Sequence, residues 1–186
     1  MSETIKRLLR VFVQLGAMVG LVLFDQYLKN LAEQTLQGKE TVSLIPGFLG
    51  LRYAENTGAA FSMFESAPQA LTILTVIALG AGVVALFAIR KKALIYDICV
   101  PLIIAGGAGN LLDRVTRGYV IDYIQTLFMN FPIFNFADCL ITCGCFAIII
   151  YLLVEMVREQ KKRKLPPEEP YAGSDVDVDA QAMNDD

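Results

Sequence analysis

The chain has 186 residues, of which 55% are apolar and only 19% are charged, and its mean hydropathy is +0.50. This composition is too apolar for a typical soluble domain and predicts a protein that is largely surrounded by a bilayer. The chain contains no histidine, which excludes a Ser-His-Asp triad, a Cys-His pair or a histidine-ligated zinc centre built from this chain alone. Its four cysteines lie in apolar segments without a C-x-x-C pair, so we expect no metal site, disulfide or cofactor.

Four apolar segments predict an all-α integral membrane protein with four transmembrane helices. The first segment follows a short basic N-terminus, and its helical pattern continues through Asp25 and Lys29 without a convincing cleavage site, so we interpret it as a span rather than a signal peptide. Each segment approaches the roughly 20 residues that cross a bilayer core at about 1.5 Å per residue. The predicted spans are residues 8–32, 71–89, 93–112 and 137–157.

Two longer loops separate these spans. Residues 33–70 contain proline and glycine between short β-rich stretches, at 41–45 and 48–53, a pattern that predicts a small sheet. Residues 113–136 form the second loop. We therefore expect a small β-rich cap outside the membrane.

The distribution of basic residues predicts how the chain crosses the membrane. Lysine and arginine cluster before the first span, between the second and third, and after the fourth; the clusters are Lys6, Arg7 and Arg10, then Arg90, Lys91 and Lys92, then Lys161, Lys162, Arg163 and Lys164. The positive-inside rule then places both termini in the cytoplasm and the two long loops on the extracytoplasmic side. Residues 1–157 form the membrane domain, and the proline-rich, acidic residues 158–186 form a cytoplasmic tail that we predict to be disordered.

Polar residues that a membrane protein rarely keeps without a use are concentrated between Gly106 and Asp138. Asp122 lies in the second loop and Asp138 opens the fourth span, with Pro132 between them, so a hairpin would bring the two carboxyl groups together. Two adjacent carboxylates at the edge of hydrocarbon should share one proton. An aspartic peptidase needs that state, because one carboxylate takes a proton from water while the other carboxyl group binds the peptide carbonyl.

The residues alone leave several alternatives open. Asp138 could cap the fourth helix, and Asp113 with Arg114 could form an interfacial ion pair. Asp25 and Lys29 are either a solvated pair at a helix end or a pair that supports a site. A small ion or proton transporter subunit would distribute its carboxylates across the membrane depth, and a magnesium-dependent phosphotransferase would need several carboxylates along its helices; neither pattern is seen.

Five motifs resemble the lipoprotein signal peptidases, also called signal peptidase II, and they occur in the family's order over roughly residues 10–157. Each motif is weak alone, whereas all five together with four apolar segments are specific. The motifs are Asp25-x-x-x-Lys29, Asn56-x-Gly58-Ala59-Ala60-Phe61, Gly109-Asn110-Leu-x-Asp113-Arg114, Gly118-x-Val120-x-Asp122-Tyr123 and Phe134-Asn135-x-Ala137-Asp138.

The resemblance implies an aspartic endopeptidase of the bacterial plasma (inner) membrane. Such an enzyme removes the signal peptide from prolipoproteins, cleaving N-terminal to a cysteine that carries diacylglycerol, and is inhibited by globomycin. The resemblance also implies that Asp122 and Asp138 are catalytic at the extracytoplasmic face. The residues implied to bind substrate or support the site are Asp25, Lys29, Asn56, Gly58, Asn110, Arg114, Asn135 and Ala137. We expect a monomer among membrane lipids, with no nucleic-acid partner.

Overall fold

The computed structural model describes residues 2–58, 68–88 and 93–164. These ranges contain four helices and three strands: α1 Glu3–Leu36, β1 Val42–Ile45, β2 Leu49–Asn56, α2 Pro68–Ala88, α3 Leu94–Arg117, β3 Val120–Thr126 and α4 Phe136–Lys164. Residues 59–61 of the second motif, the basic residues 90–92 and the predicted tail from residue 165 onward lie outside the described residues.

The chain divides into two compact units, Met1–Leu152 and Leu153–Asp186. All the contacts discussed below lie in the first unit. The described part of the second unit is helical and ends at Lys164.

Each of the four predicted spans is a helix, but three of these helices end later than predicted, and the first of them, α1, continues to Leu36 rather than to residue 32. Asp113 and Arg114, which we expected in a loop, lie in the last turns of α3 because the helix continues until Gly118. There the backbone adopts φ 85°, and the Gly118 N–H donates to the Arg114 carbonyl at 3.2 Å, as in a left-handed helix cap. Helix α4 likewise continues to Lys164, so residues 158–164 of the predicted disordered tail are helical.

Among the described residues, three helices are long and apolar enough to cross a membrane: Glu3–Leu36, Leu94–Arg117 and Phe136–Arg163. The apolar stretch of α2, Gln69–Val84, is shorter. That α2 crosses the membrane therefore stays a prediction.

Polar contacts at two levels show that α1 and α3 run in the same direction. Near the start of both helices, Arg10 Nη1 donates to Asp97 Oδ2 at 3.0 Å. Near their ends, Lys29 Nζ lies 3.0 Å from Asp113 Oδ2. The end of α1 that carries Lys29 therefore lies beside the end of α3 that carries the third motif.

A proline inside α3 explains another contact between these helices. Pro101 has no N–H and leaves the carbonyl of Asp97, four residues earlier, without its helical donor. The side chain of Gln14 supplies one, because its Nε2 donates to the Asp97 carbonyl at 2.9 Å. A membrane helix tolerates proline when a neighbouring helix satisfies the freed group in this way.

Glycines allow α4 to pack closely against α3 in the opposite direction. A Cβ atom on Gly106 would collide with the carbonyl oxygen of Ala137 and lie 2.9 Å from Ile141 Cγ1. Toward the other end of α3, a Cβ on Gly144 would lie 2.7 Å from Ile103 Cγ1. The N-terminus of α4 therefore lies beside the C-terminal half of α3.

The three strands form an antiparallel sheet in the order β1-β2-β3. The third strand was not predicted, since residues 113–136 were expected to form a loop. Ile121 and Tyr123 of β3 pack with Ala32 and Leu36 of α1, forming a buried apolar cluster. The sheet is thereby fixed to the end of α1.

We predict that Gly106→Ala destabilises the protein in detergent. The added methyl group has no room against the α4 backbone, and overpacking of this kind typically costs about 1–3 kcal/mol. Thermal unfolding followed by circular dichroism measures the effect.

Gly20→Ala is the matched control, because Gly20 is an exposed helical glycine of α1 with no atom near an added Cβ. Alanine favours a helix over glycine by about 0.5–1 kcal/mol, so this variant should be unchanged or more stable. Equal effects of the two substitutions would contradict the close packing of α3 against α4.

Candidate active site

The pairing of β2 with β3 brings Asn56 to Asp122. Ala54 lies opposite Asp122 and Asn56 opposite Val120, so Asn56 is the diagonal neighbour of Asp122. Its Nδ2 donates to Asp122 Oδ2 at 2.8 Å, and its Oδ1 accepts the Gly58 N–H at 3.0 Å. The second bond determines which end of the amide faces the carboxylate.

The first turn of α4 holds Asp138 in a reciprocal cap. Asn135 Oδ1 accepts the Asp138 N–H at 2.9 Å, and Asp138 Oδ2 accepts the Asn135 N–H at 3.1 Å. This is the arrangement of a capping box, with an asparagine before the helix and an acid three residues later. The helix-capping role considered from the sequence is therefore real, and it leaves Asp138 Oδ1 available for another donor.

Two asparagine side chains link Asp122 to Asp138. Asn135 Nδ2 donates to Asp122 Oδ1 at 2.6 Å and also lies 3.1 Å from Asn110 Oδ1. Asn110 Nδ2 in turn donates to Asp138 Oδ1 at 2.8 Å. Each of the four carboxylate oxygens thus has an N–H donor, and the two acids belong to one hydrogen-bonded group.

The surroundings of Asp122 favour retention of a proton. Its exposed fraction is 2%, and burial together with the nearby charge of Asp138 raises the pKa of Asp122 to about 7. Hydrogen bonds from Asn56 and Asn135 and the charge of Lys29 act in the opposite direction. Asp138 is only partly buried.

An ionic cluster, formed by Lys29, Asp25 and Asp113, is connected to Asp138 through the side chain of Asn110. The Lys29 side chain is 0% exposed, and its Nζ lies 2.9 Å from Asp25 Oδ2 and 3.0 Å from Asp113 Oδ2. The third donor of the ammonium group bonds Asn110 Oδ1 at 2.8 Å. Because the Asn110 oxygen faces Lys29, its nitrogen faces Asp138.

The same cluster fixes the start of α4. Asp25 Oδ1 accepts the Ala137 N–H at 3.1 Å, which supplies a partner to an N–H in the first turn of a helix. A Cβ atom on Gly109 would lie 2.5 Å from Asp25 Oδ2. Glycine at this position therefore allows the Asp25 carboxylate to lie between α1, α3 and α4.

Arg114 lies on the last turns of α3 and contacts backbone rather than the acids. Its Nη2 donates to the Gly58 carbonyl at 3.2 Å, and its Nη1 makes a longer contact of 3.5 Å with the Asn110 carbonyl. The buried Nε has no hydrogen-bond partner among the described residues. Arg114 therefore holds the chain segment that follows Asn56.

The structure brings together the ten candidate site residues through direct contacts or a shared partner: Asp25, Lys29, Asn56, Gly58, Asn110, Arg114, Asp122, Asn135, Ala137 and Asp138. It also adds Gln26 and Asp113, which were not assigned to the site. Gln26 Nε2 donates to the Gly109 carbonyl at 3.2 Å and to Asp113 Oδ1 at 3.1 Å. Asp113 also accepts the Ile121 N–H at 3.3 Å. In the sequence, each of these two stands out only as a polar residue in or beside an otherwise apolar segment. That pattern does not reveal which residue on another element it contacts.

In the part of the chain that the structure describes, no three His, Cys, Asp or Glu side chains are grouped so as to hold a metal ion. The carboxylates instead have amide, ammonium and backbone N–H partners. The arrangement can hold a shared proton and position a water molecule.

Three comparisons relate the chain to known proteins. A protein-family model described as signal peptidase (SPase) II matches residues 17–154. The lipoprotein signal peptidase of Enterococcus faecalis is 42% identical over 149 residues, covering 80% of this chain and 91% of the relative. That of Lactiplantibacillus plantarum is 36% identical over 154 residues, covering 83% of this chain and 100% of the relative.

Two solved structures described as bacterial membrane enzymes, both determined by the in meso method, share the fold. One has a TM-score of 0.73 and 31% identity and covers 86% of this chain and 96% of its own. The other has a TM-score of 0.69 and 34% identity, and the match covers 77% of this chain and 94% of the solved chain. The family match covers residues 17–154, which include Asp122 and Asp138, and the relatives extend over most of the chain. This protein therefore belongs to the signal peptidase II family of membrane-embedded aspartic peptidases.

Proposed function

We propose that this enzyme removes signal peptides from bacterial prolipoproteins, with Asp122 and Asp138 as its catalytic acids. The observation that carries the proposal is the hydrogen-bonded link between the two carboxyl groups through Asn135 and Asn110. The charge of Asp138 acts on Asp122 strongly enough to contribute to its raised pKa. The family relationship supports the substrate, and the geometry supports the mechanism.

In this mechanism Asp122 carries the shared proton, because it is the more buried acid and its pKa is about 7. Asp138 acts as the carboxylate that takes a proton from the attacking water. The protonated Asp122 donates a hydrogen bond to the peptide carbonyl as negative charge develops on its oxygen. The proton gained by Asp138 then passes to the leaving amine, and the pair returns to its starting state.

The cleaved bond is the one N-terminal to a cysteine that carries diacylglycerol. Asp138 lies in the first turn of α4, a helix apolar enough to span a bilayer. A scissile bond at the membrane surface can therefore reach the acids while the acyl chains of the substrate stay in lipid. Asn56, Gly58 and Arg114 line the approach from the sheet and bind the substrate backbone.

We further infer four spans in the bacterial plasma (inner) membrane, both termini in the cytoplasm and the sheet with the acids on the outer face. Basic residues flank the predicted cytoplasmic ends in the sequence. The contacts of α2 with α3 support a fourth crossing, since a Cβ on Gly107 would lie 2.8 Å from Leu79 and one on Gly82 would lie 3.1 Å from Ile104. These two contacts lie about one helical turn apart, and their order shows that α2 and α3 are antiparallel there.

The enzyme acts as a monomer in this proposal, because both acids and all their hydrogen-bond donors come from one chain. It should also bind globomycin-type inhibitors, as the resemblance implies. A small ion or proton transporter is the weaker alternative. A proton path would need carboxylates spaced through the membrane, whereas Asp25, Asp113, Asp122 and Asp138 gather at one end of the helices and Asp97, at the other, pairs with Arg10.

We predict that Asp122→Asn and Asp138→Asn each abolish cleavage of a diacylglyceryl-modified prolipoprotein by the purified enzyme. An amide can neither accept the proton from water nor share one with the other acid, and general acid–base groups typically contribute about 10²–10⁴-fold in rate. Turnover in detergent, with binding of globomycin as the test of folding, measures the effect.

Asp97→Asn is the matched control, because it changes the same chemical group at the opposite end of α3. It should retain near-normal turnover, as should the unmodified enzyme in excess chelator. Near-normal activity of either Asp122→Asn or Asp138→Asn, or loss of activity on chelation, would contradict the metal-free mechanism.

The pH dependence should depend on Asn56. As the pH rises through about 7, the pair loses its shared proton and kcat/KM should fall. The Asn56 hydrogen bond stabilises ionised Asp122 and lowers its pKa, so Asn56→Ala should move this alkaline limb to higher pH. A shift of about one to two units is expected, because a hydrogen bond to a charged group contributes about 1.5–3 kcal/mol and one pKa unit corresponds to about 1.4 kcal/mol.

Glu55→Gln provides the control, since Glu55 is the exposed neighbour of Asn56 on β2. Its alkaline limb should coincide with that of the wild type. A limb that moves to lower pH in Asn56→Ala would show that the amide does not favour the ionised form of the pair.

A further inference from the structure

One end of the sheet carries an exposed apolar surface that the proteolytic mechanism does not use. This surface, here called the apolar tip, comprises residues 42–48 and 127–134, and neither segment contains a charged residue. Seven of its large apolar side chains are 41–57% exposed: Val42, Leu44, Ile45, Phe48, Phe128, Met129 and Phe131. Exposed apolar patches of this kind typically mark a contact with another molecule or with a membrane.

The rest of the sheet does not share this character. The exposed residues Lys39, Glu40, Arg52 and Glu55 lie on or next to the same strands but outside the tip. A sheet surrounded by water on all sides would carry such charges throughout. The absence of charge is therefore specific to the tip.

Aromatic pairs lie both within the tip and at the start of α4, which follows the tip directly in the chain. Phe48 and Phe128 stack with ring centroids 5.0 Å apart, and Phe131 meets Phe134 at 5.9 Å. Two residues later Phe136 begins α4, and its ring lies 5.2 Å from that of Phe24 on α1, itself a half-exposed apolar residue. The aromatic residues of the tip are therefore followed directly in the chain by an aromatic pair on the apolar surface of α1 and α4.

The length of the connection keeps the tip near the bilayer. Phe136 lies five positions after Phe131, and an extended chain of that length spans at most about 18 Å. Because α4 is long and apolar enough to cross a membrane, its first residue lies close to one membrane surface. A bilayer with its headgroup regions is about 40–45 Å thick. Phenylalanine and methionine side chains within about 18 Å of Phe136 can therefore reach the headgroup region.

We propose that the apolar tip inserts into the lipid interface of the leaflet next to the N-terminus of α4. The sheet is then held to the bilayer at its tip as well as through α1, and the strand that carries Asp122 keeps a constant height above the membrane. Burial of apolar side chains in lipid supplies the driving force. This inference concerns lipid contact and goes beyond the proposed cleavage reaction.

The chain contains no tryptophan, so a single introduced tryptophan is a specific reporter. Phe128→Trp and, as a second reporter, Phe131→Trp replace one exposed aromatic residue by another and should preserve the fold. Each variant is reconstituted in phosphatidylcholine vesicles whose acyl chains are brominated either near the headgroup or near the chain end. Arg52→Trp is the matched control, since Arg52 is exposed on β2 outside the tip.

Both tip reporters should show blue-shifted emission and several times the bromolipid quenching of Arg52→Trp, strongest for bromine near the headgroup. Iodide in the water should quench them less than the control. The proposal would be overturned if iodide quenched both tip reporters as strongly as it quenches Arg52→Trp and bromolipids quenched neither reporter. Protection from both quenchers that disappears when the protein is diluted in lipid would show that a second copy covers the tip, and would overturn it equally. No substrate is used, so the result is independent of the proposed chemistry.

Discussion

A fully buried lysine is the constraint on which the rest of the site depends. An ammonium group without water is costly unless each of its N–H groups has a partner, and breaking a buried ion pair typically costs about 3–5 kcal/mol. Lys29 meets this requirement with carboxylates from α1 and α3 and with the Asn110 side chain. Two helices that are far apart in sequence, α1 and α3, must therefore meet at one point, and Asp25 also accepts the Ala137 N–H from the first turn of α4 there.

The orientation of Asp122 and Asp138, the proposed catalytic acids, follows from that arrangement. An asparagine side chain has a donor end and an acceptor end, and Lys29 occupies the acceptor end of Asn110, so its donor end meets Asp138. Asn135 is oriented similarly, because its oxygen caps α4 and its nitrogen reaches Asp122. Neutral amides can hold two acids close together without adding a positive charge that would remove the shared proton.

The sequence predicted the four helices, two strands and the pair of acids, because long apolar segments, turn residues and isolated polar groups each leave a local signal. It did not predict β3, since Val120–Thr126 follows a helix cap directly and pairs with a strand far away in the chain. The late end of α3 was missed because polar Asp113 and Arg114 resemble a loop, whereas buried partners hold them in a helix. The contacts of Gln26 and Arg114 depend on neighbouring elements and have no pattern of their own.

The shared proton is the central claim, and infrared difference spectroscopy of the carboxyl C=O stretch measures it directly. The account predicts a protonated carboxyl band at neutral pH that disappears as the pH rises above about 7 and is absent from Asp122→Asn, while Asp97→Asn retains it. A wild-type spectrum without a protonated carboxyl band at neutral pH, or a band unaffected by Asp122→Asn, would contradict the assignment of the proton to this pair.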